Sequence, residues 1–217
     1  MIDFAAARKA MVDSQIRPCG VTDPAVVDAM LAVPRELFVP RSLRGVAYAG
    51  EHLPLPGGRF LLDPMVFAKL VDAARIRPGD VVLDLGCASG YSTAVLSHLA
   101  AGVAGVESDA ALVEQASANL AELGIENGVA LEGDLAAGRA DQGPYDAIVV
   151  EGGIDDVPEA LVQQLKDGGR LVAVHTGQPS PRGALWLKTG GEVARRDLFD
   201  TSAPRLAAFA REESFSF

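Results

Sequence analysis

Cysteine is scarce in this chain: its 217 residues hold two, Cys19 and Cys87, far apart and in no CxxC pair. That excludes a disulfide framework and a cysteine zinc site. The three histidines, His52, His98 and His175, show no metal-ligand spacing, so no metal centre is expected. Aromatic residues make up only 6%, so a core must rest on Val, Leu, Ile and Ala. Positive charge is in deficit. Lys and Arg number 19 against 29 Asp and Glu, a formal net charge of −10. Such a chain repels a phosphate backbone and has no local run of Lys and Arg to offset this, so a nucleic-acid partner is not expected. No stretch approaches the roughly 20 apolar residues of a membrane span. The opening segment MIDFAAARKAMVDSQ is broken by Asp3, Arg8, Lys9 and Asp13 and has no signal-peptide run. The expectation is a cytoplasmic protein without membrane contact.

What is present is apolar mass and glycine: 49% hydrophobic residues and 23 glycines, suited to one domain with many tight turns. Up to about residue 75 the pattern is irregular. Ala6–Gln15 reads as a helix that stops before Arg17-Pro18, since proline disfavours helix in the residue before it. Thr22 or Asp23 can cap a second helix with Pro24 at its first position, running to about Ala32. A proline-punctuated stretch follows, then a helix over Pro64–Ala74. From there the pattern turns regular. Strands are expected at Asp80–Leu85, Gly102–Val106, Val129–Leu131, Tyr145–Val150 and Arg170–Val174. Between them come helices at Ser89–Leu99, Asp109–Leu123 and Val157–Leu165. This alternation demands a parallel sheet covered on both faces. Ala184–Lys188 and Ala207–Phe217 read as two further strands forming an antiparallel hairpin at the sheet edge. The chain thus divides into an extension, residues 1–75, packed on a core, residues 76–217.

In an open parallel sheet, ligands bind outside the carboxyl ends of the strands. The loop after the first core strand is Asp84-Leu85-Gly86-Cys87-Ala88-Ser89-Gly90-Tyr91. Gly86 allows a sharp turn and Gly90 opens the helix. The spacing is GxxxG with Ala88 in the middle, so a pyrophosphate cannot approach as in a dinucleotide fold. Glu107 ends the next strand, where a carboxylate can accept from both hydroxyls of a ribose or simply be a solvated charge. Asp134, in Gly133-Asp134-Leu135, can accept from an adenine amine. No GK[ST] motif and no basic residue lies in the glycine loop, so phosphates are not catered for. Together these residues suit an adenosine without phosphates, as in S-adenosylmethionine, with Asp84 near its amino group.

The chain resembles the protein-L-isoaspartate O-methyltransferase family over nearly its whole length. The residues that carry this are Met11 to Arg17, Ala29-Met30, Val33-Pro34-Arg35-Glu36-Leu37-Phe38-Val39-Pro40, Ala47-Tyr48 and Leu53-Pro54-Leu55. Val82 to Gly86, Ser89-Gly90-Tyr91, Gly133-Asp134, Gln164-Leu165 and Gly168 to Val172 complete them. The resemblance implies a Rossmann-like class I methyltransferase fold with a seven-stranded sheet. It implies S-adenosylmethionine as cofactor and isoaspartyl residues of damaged proteins or peptides as substrate. It places cofactor contacts at Gly86, Ser89, Gly90, Glu107 and Asp134, to which Asp84, Ala88, Tyr91, Ser108 and Leu135 are added as neighbours. The acceptor loop departs from the family. Where the family reads approximately GQTISQP, this chain has Gly58-Arg59-Phe60-Leu61-Leu62-Asp63-Pro64. The acceptor-orienting serine falls at Leu62, and a further family glycine at Leu135. Arg59, Leu61 and Leu62 are therefore the candidate acceptor-binding residues. Arg59 can pair with an acceptor carboxylate or stand exposed. Asp63 can be a catalytic base or the cap of the helix at Pro64. Glu151, after the fourth core strand, can be a catalytic acid or a loop charge. A methyltransferase for another acceptor and a non-catalytic cofactor-binding protein are the competing readings.

Overall fold

The computed structural model describes residues 2–210. Helix α1 (Phe4–Met11) is capped by Asp3 and continues as a single π-helical turn, Val12–Ile16. Helix α2 (Pro24–Ala32) has Asp23 as its N-cap, with Pro24 at the first position. The proline-rich stretch forms two 3-10 helices, Arg35–Phe38 and Arg41–Val46, then a small antiparallel ladder of β1 (Leu53–Pro54) and β2 (Phe60–Leu61). Helix α3 (Pro64–Ala74) follows.

The remaining elements are β3 (Val81–Leu85), α4 (Tyr91–Ser97), β4 (Gly102–Glu107), α5 (Ala110–Glu122) and β5 (Gly128–Glu132). After them come β6 (Tyr145–Ile154), α6 (Glu159–Gln164), β7 (Leu165–His175), β8 (Arg182–Thr189) and β9 (Glu192–Asp200). Strands β3 to β9 form one seven-stranded sheet in the order β5-β4-β3-β6-β7-β8-β9. The first five in that order run parallel, and β8 and β9 are antiparallel additions. Chain order reverses at β3, which pairs with β4 on one side and β6 on the other. That switch point puts the carboxyl ends of β3, β4 and β6 around one crevice.

One of the two strand expectations at the tail is corrected, while Ala184–Lys188 falls within β8. The partner of β8 is Glu192–Asp200, not Ala207–Phe217. Ala207–Phe209 is a 3-10 turn, and residues 211–217 lie outside the described residues. The hairpin at the sheet edge stands, built from a different segment. Helix α4 is also shorter than expected, starting at Tyr91, because Ala88 and Gly90 both adopt positive φ, 48° and 93°.

Side chains alternate across the sheet. Val82, Ala147, Val149 and Val172 face a cluster shared with α1 to α5, whereas Leu83, Leu85, Ile148 and Val150 face a cluster with Leu161 of α6, Leu206 and Phe209. On the first face the N-terminal segment is locked to the core around Tyr91. Phe38 meets its ring edge-on, with centroids 5.5 Å apart, Phe67 lies at 5.7 Å, and the Arg35 guanidinium stands 4.8 Å from the ring centre. On the second face, Leu206 packs over Gly86 and Gly152; a Cβ on Gly152 would fall 2.6 Å from Leu206 Cγ. Among the described residues no helix is long and apolar enough to cross a membrane.

Phe38 is fully buried in the cluster that joins extension and core. Phe38→Ala is expected to cost about 3–5 kcal/mol in urea unfolding. A loss below about 1 kcal/mol would mean that this aromatic contact does not carry the docking.

Candidate functional site

The carboxyl ends of β3, β4 and β5 bring the glycine loop, Glu107 and Gly133-Asp134 to one rim. Gly86 turns the chain at φ 79°, and its N–H donates to the Val106 carbonyl at 2.8 Å. Gly90, at φ 93°, leaves 3.1 Å between a would-be Cβ and the Ala116 Cβ, so the α4 start is pressed against α5. Ala88 takes the left-handed conformation despite its Cβ, at φ 48°, which costs of order 1–2 kcal/mol. Its N–H donates to Glu107 Oε2 at 3.2 Å.

Glu107 is the hub of the rim. It is completely buried, and its Oε1 also accepts from the backbone N–H groups of Ser108 (2.6 Å) and Asp109 (3.1 Å). Arg59 engages it with a fork. Nε donates to both carboxylate oxygens at 3.0 Å, Nη2 donates to Oε1 at 2.8 Å, and Nη2 also reaches Ser108 Oγ at 2.7 Å. The Arg59 side chain is only 13% exposed. The structure thus pairs Arg59 with the chain's own carboxylate. Sequence reasoning missed this contact, and no local signal links two residues 48 positions apart.

Asp84 is fully buried on β3. Its Oδ2 accepts from Ser92 Oγ (2.7 Å) and Thr93 Oγ1 (2.6 Å), while its Oδ1 has no partner. Burial pushes its pKa up to about 7; the two hydroxyls pull downward and the Glu107 charge adds to the rise. Asp134 holds Ala136 N–H at 2.8 Å and borders a cavity of about 610 Å³ with Ser108, Gly133, Leu135 and Ala208. Leu135 is buried beneath the rim and packs toward Gly86.

Ser89 and Tyr91 turn inward instead of lining the crevice. Ser89 Oγ donates to the Phe38 carbonyl at 2.6 Å, and Tyr91 OH reaches Met30 Sδ at 3.6 Å. Their work is to dock the N-terminal segment. Leu61 pairs with Leu53 in the small ladder, and Leu62 is buried with its carbonyl held by Arg35 Nη2 at 2.5 Å. Asp63 caps α3: Oδ1 accepts from Met65 N–H (2.7 Å) and Val66 N–H (3.4 Å), and its own N–H donates to His52 Nδ1 (3.0 Å). The capping alternative describes Asp63 Oδ1, which both backbone N–H groups share. Arg35, unremarked as a site residue in the sequence, is completely buried and ties Ala47 O (2.8 Å) to the acceptor loop. No cluster of three or more metal-ligating side chains occurs among the described residues.

The raised Asp84 pKa has a sign that can be tested. Between pH 4 and 7 the folded state keeps a proton that the unfolded chain has lost. Stability is therefore present at low pH and is lost as pH rises through about 7, by up to about 1.4 kcal/mol per unit for one proton. Asp84→Asn is expected to flatten that part of the slope in urea midpoints measured from pH 4.5 to about 7.5. Equal slopes for both proteins would refute the assignment.

Comparison with known proteins agrees with this geometry. The family model for protein-L-isoaspartate(D-aspartate) O-methyltransferase matches residues 6–182. A protein-L-isoaspartate O-methyltransferase of Methylorubrum extorquens (strain PA1) is 42% identical over 199 residues, covering 92% of this chain and 85% of the relative. One from Koribacter versatilis (strain Ellin345) is 40% identical over 199 residues, covering 91% and 89%. A solved protein-L-isoaspartate O-methyltransferase superposes with a TM-score of 0.80 at 28% identity, over 92% of this chain and 66% of that one. A Plasmodium falciparum structure, itself in complex with S-adenosyl-L-homocysteine, shares the fold with a TM-score of 0.80 at 20% identity, over 96% and 100%. With its signature segments, its glycine loop and its rim acids in one frame, the chain belongs to the protein-L-isoaspartate (D-aspartate) O-methyltransferase family.

Proposed function

We propose that this chain is an S-adenosylmethionine-dependent O-methyltransferase that esterifies the free carboxylate of isoaspartyl residues in peptides and damaged proteins. One observation carries the reading: the glycine loop, Glu107 and Asp134 converge at a single rim of the sheet in a member of this family. The residues suit the cofactor. The bare, buried Asp84 Oδ1 matches a cationic amine, the two Glu107 oxygens match a vicinal diol, and Asp134 stands at a cavity with room for adenine. An exposed thiol at Cys19 and a buried one at Cys87, both free, agree with a reducing cytoplasm.

When bound, S-adenosylmethionine supplies an electrophilic methyl group on a sulfonium. A carboxylate acceptor is already nucleophilic, so the chain needs no general base. Its contribution is to align the acceptor and to keep water out. Asp63 can therefore be engaged in a helix cap without loss to the chemistry. The oxygens that would hold the ribose are taken by Arg59, so cofactor binding exchanges one partner of Glu107 for another. A second reading, a different methyl acceptor, has one observation behind it: Leu62, apolar and buried, stands at the loop position of the acceptor-orienting serine.

Incubation with methyl-labelled cofactor is expected to give a base-labile methyl ester on an isoaspartyl peptide and none on its aspartyl isomer. No ester above a control without protein would refute the proposal. Glu107→Ala is expected to weaken S-adenosylhomocysteine binding at least about tenfold in calorimetry. Arg59→Gln acts in the opposite direction. It should lower the stability of the ligand-free chain, by leaving a buried carboxylate less well paired, and tighten the ligand on the order of tenfold. Unchanged affinity would show that Arg59 and the ligand do not compete.

A further inference from the structure

Among the described residues, the side-chain atoms buried without a hydrogen-bond partner include Asp84 Oδ1, Glu151 Oε1 and Arg35 Nη1. These three belong together. Asp84 on β3 pairs with Val149 on β6, Glu151 lies two residues beyond Val149, and the Asp84 charge acts on Glu151. Arg35 enters from the N-terminal segment, lying over Tyr91 and anchored at Ala47 O and Leu62 O. Its charge is felt at Glu151, and that of Glu151 at Arg35. Buried polar groups are seldom left bare in folded proteins, and a cluster of them beside a cofactor rim points to bonding capacity kept for a ligand's polar atoms. Asp84 belongs to the cofactor. Glu151 and Arg35 remain unassigned.

Their chemistry fits a carboxylate acceptor. Burial, then the charge of Asp84, raise the Glu151 pKa well above the usual carboxylate range, with Arg35 opposing. The other charged or titratable groups around the pair are Asp63 and Tyr91, both acting on Arg35, and Cys87. A neutral Glu151 carries an O–H donor and does not repel an anion. Glu151 keeps 8% of its surface exposed and Arg35 none, so Glu151 is the outer member and Arg35 the charge behind it. At position 62 the acceptor loop offers no side-chain donor, and its carbonyl is held by Arg35. The hydroxyl donor missing from the loop thus has a counterpart on the opposite wall.

Resting on the isoaspartyl reading above, we propose that Glu151 is the acceptor-binding residue of this chain. It donates to the substrate carboxylate the hydrogen bond that a loop serine would otherwise supply, and Arg35 positions it and provides the positive field. Glu151 is then a specificity residue and not a base.

The test uses the full chain saturated with S-adenosylhomocysteine and a fluorescent isoaspartyl peptide, with the same peptide amidated at the isoaspartyl α-carboxyl as control. Anisotropy should show wild type preferring the free carboxylate. Glu151→Ala should weaken that peptide roughly tenfold or more and abolish the preference. Glu151→Gln, a neutral donor of similar shape, should recover most of the binding, and Leu62→Ser in the Glu151→Ala background should recover part of it. S-adenosylhomocysteine affinity, measured by calorimetry, should stay within about twofold throughout, which reports an intact fold. Methyl transfer to the same peptide is measured in parallel. Wild-type peptide affinity in Glu151→Ala would overturn the inference while leaving the activity standing. Glu151→Gln that binds the peptide but loses turnover more than about a hundredfold would overturn it in favour of a base. A wild type that neither binds nor methylates the isoaspartyl peptide would overturn the parent reading and this one together.

Discussion

The site is organised by one buried carboxylate. Glu107 has no exposed surface, and a charge in that position survives only because every lone pair is met. The donors come from three separate places: the glycine loop through Ala88, the β4 end through Ser108 and Asp109, and the acceptor loop through Arg59. Removing the charge would untie all three at once. The left-handed strain at Ala88 falls at the residue whose N–H is tied to this carboxylate, where the loop turns into α4.

A second hub, of opposite sign, lies on the same face. Arg35 is held between two backbone carbonyls and an aromatic ring, and it fastens the acceptor loop to the signature segment that contains it. Its neighbour Glu36 meets Tyr48 and Arg8, which carries the tie back to α1. The proline-rich stretch is thus a strap whose polar groups are bonded inward, and the Phe38 carbonyl seats it on α4 through Ser89. The signature residues that mark the family serve this docking more directly than they serve the cofactor.

Much of this was legible in the chain. The β-branched runs at Asp80–Leu85 and Tyr145–Val150, the helix that starts at Asp109, the Asp63 cap and the glycine loop all follow from local rules, and the sheet follows from their alternation. The tail was misread for a physical reason. Strand β9 is an edge strand, and its residues Arg195, Arg196 and Asp197 face solvent, so it lacks the apolar run that marks a buried strand. Leu206 and Phe209 are apolar because they pack back over the sheet at a 3-10 turn, not because they extend it. The inward turn of Ser89 and Tyr91 and the Arg59 fork are tertiary facts. They depend on which surface a distant segment covers, and spacing along the chain holds no record of that.

The Arg59 fork has one more implication. If Glu107 takes a ribose as proposed, the guanidinium and the sugar contend for the same two oxygens. The placement of loop 56–60 and the filling of that crevice would then be a single coupled equilibrium, governed by thermodynamic reciprocity. A ligand that displaces Arg59 would release the loop, and a substitution, peptide or crosslink that restrains the loop would alter the affinity for that ligand.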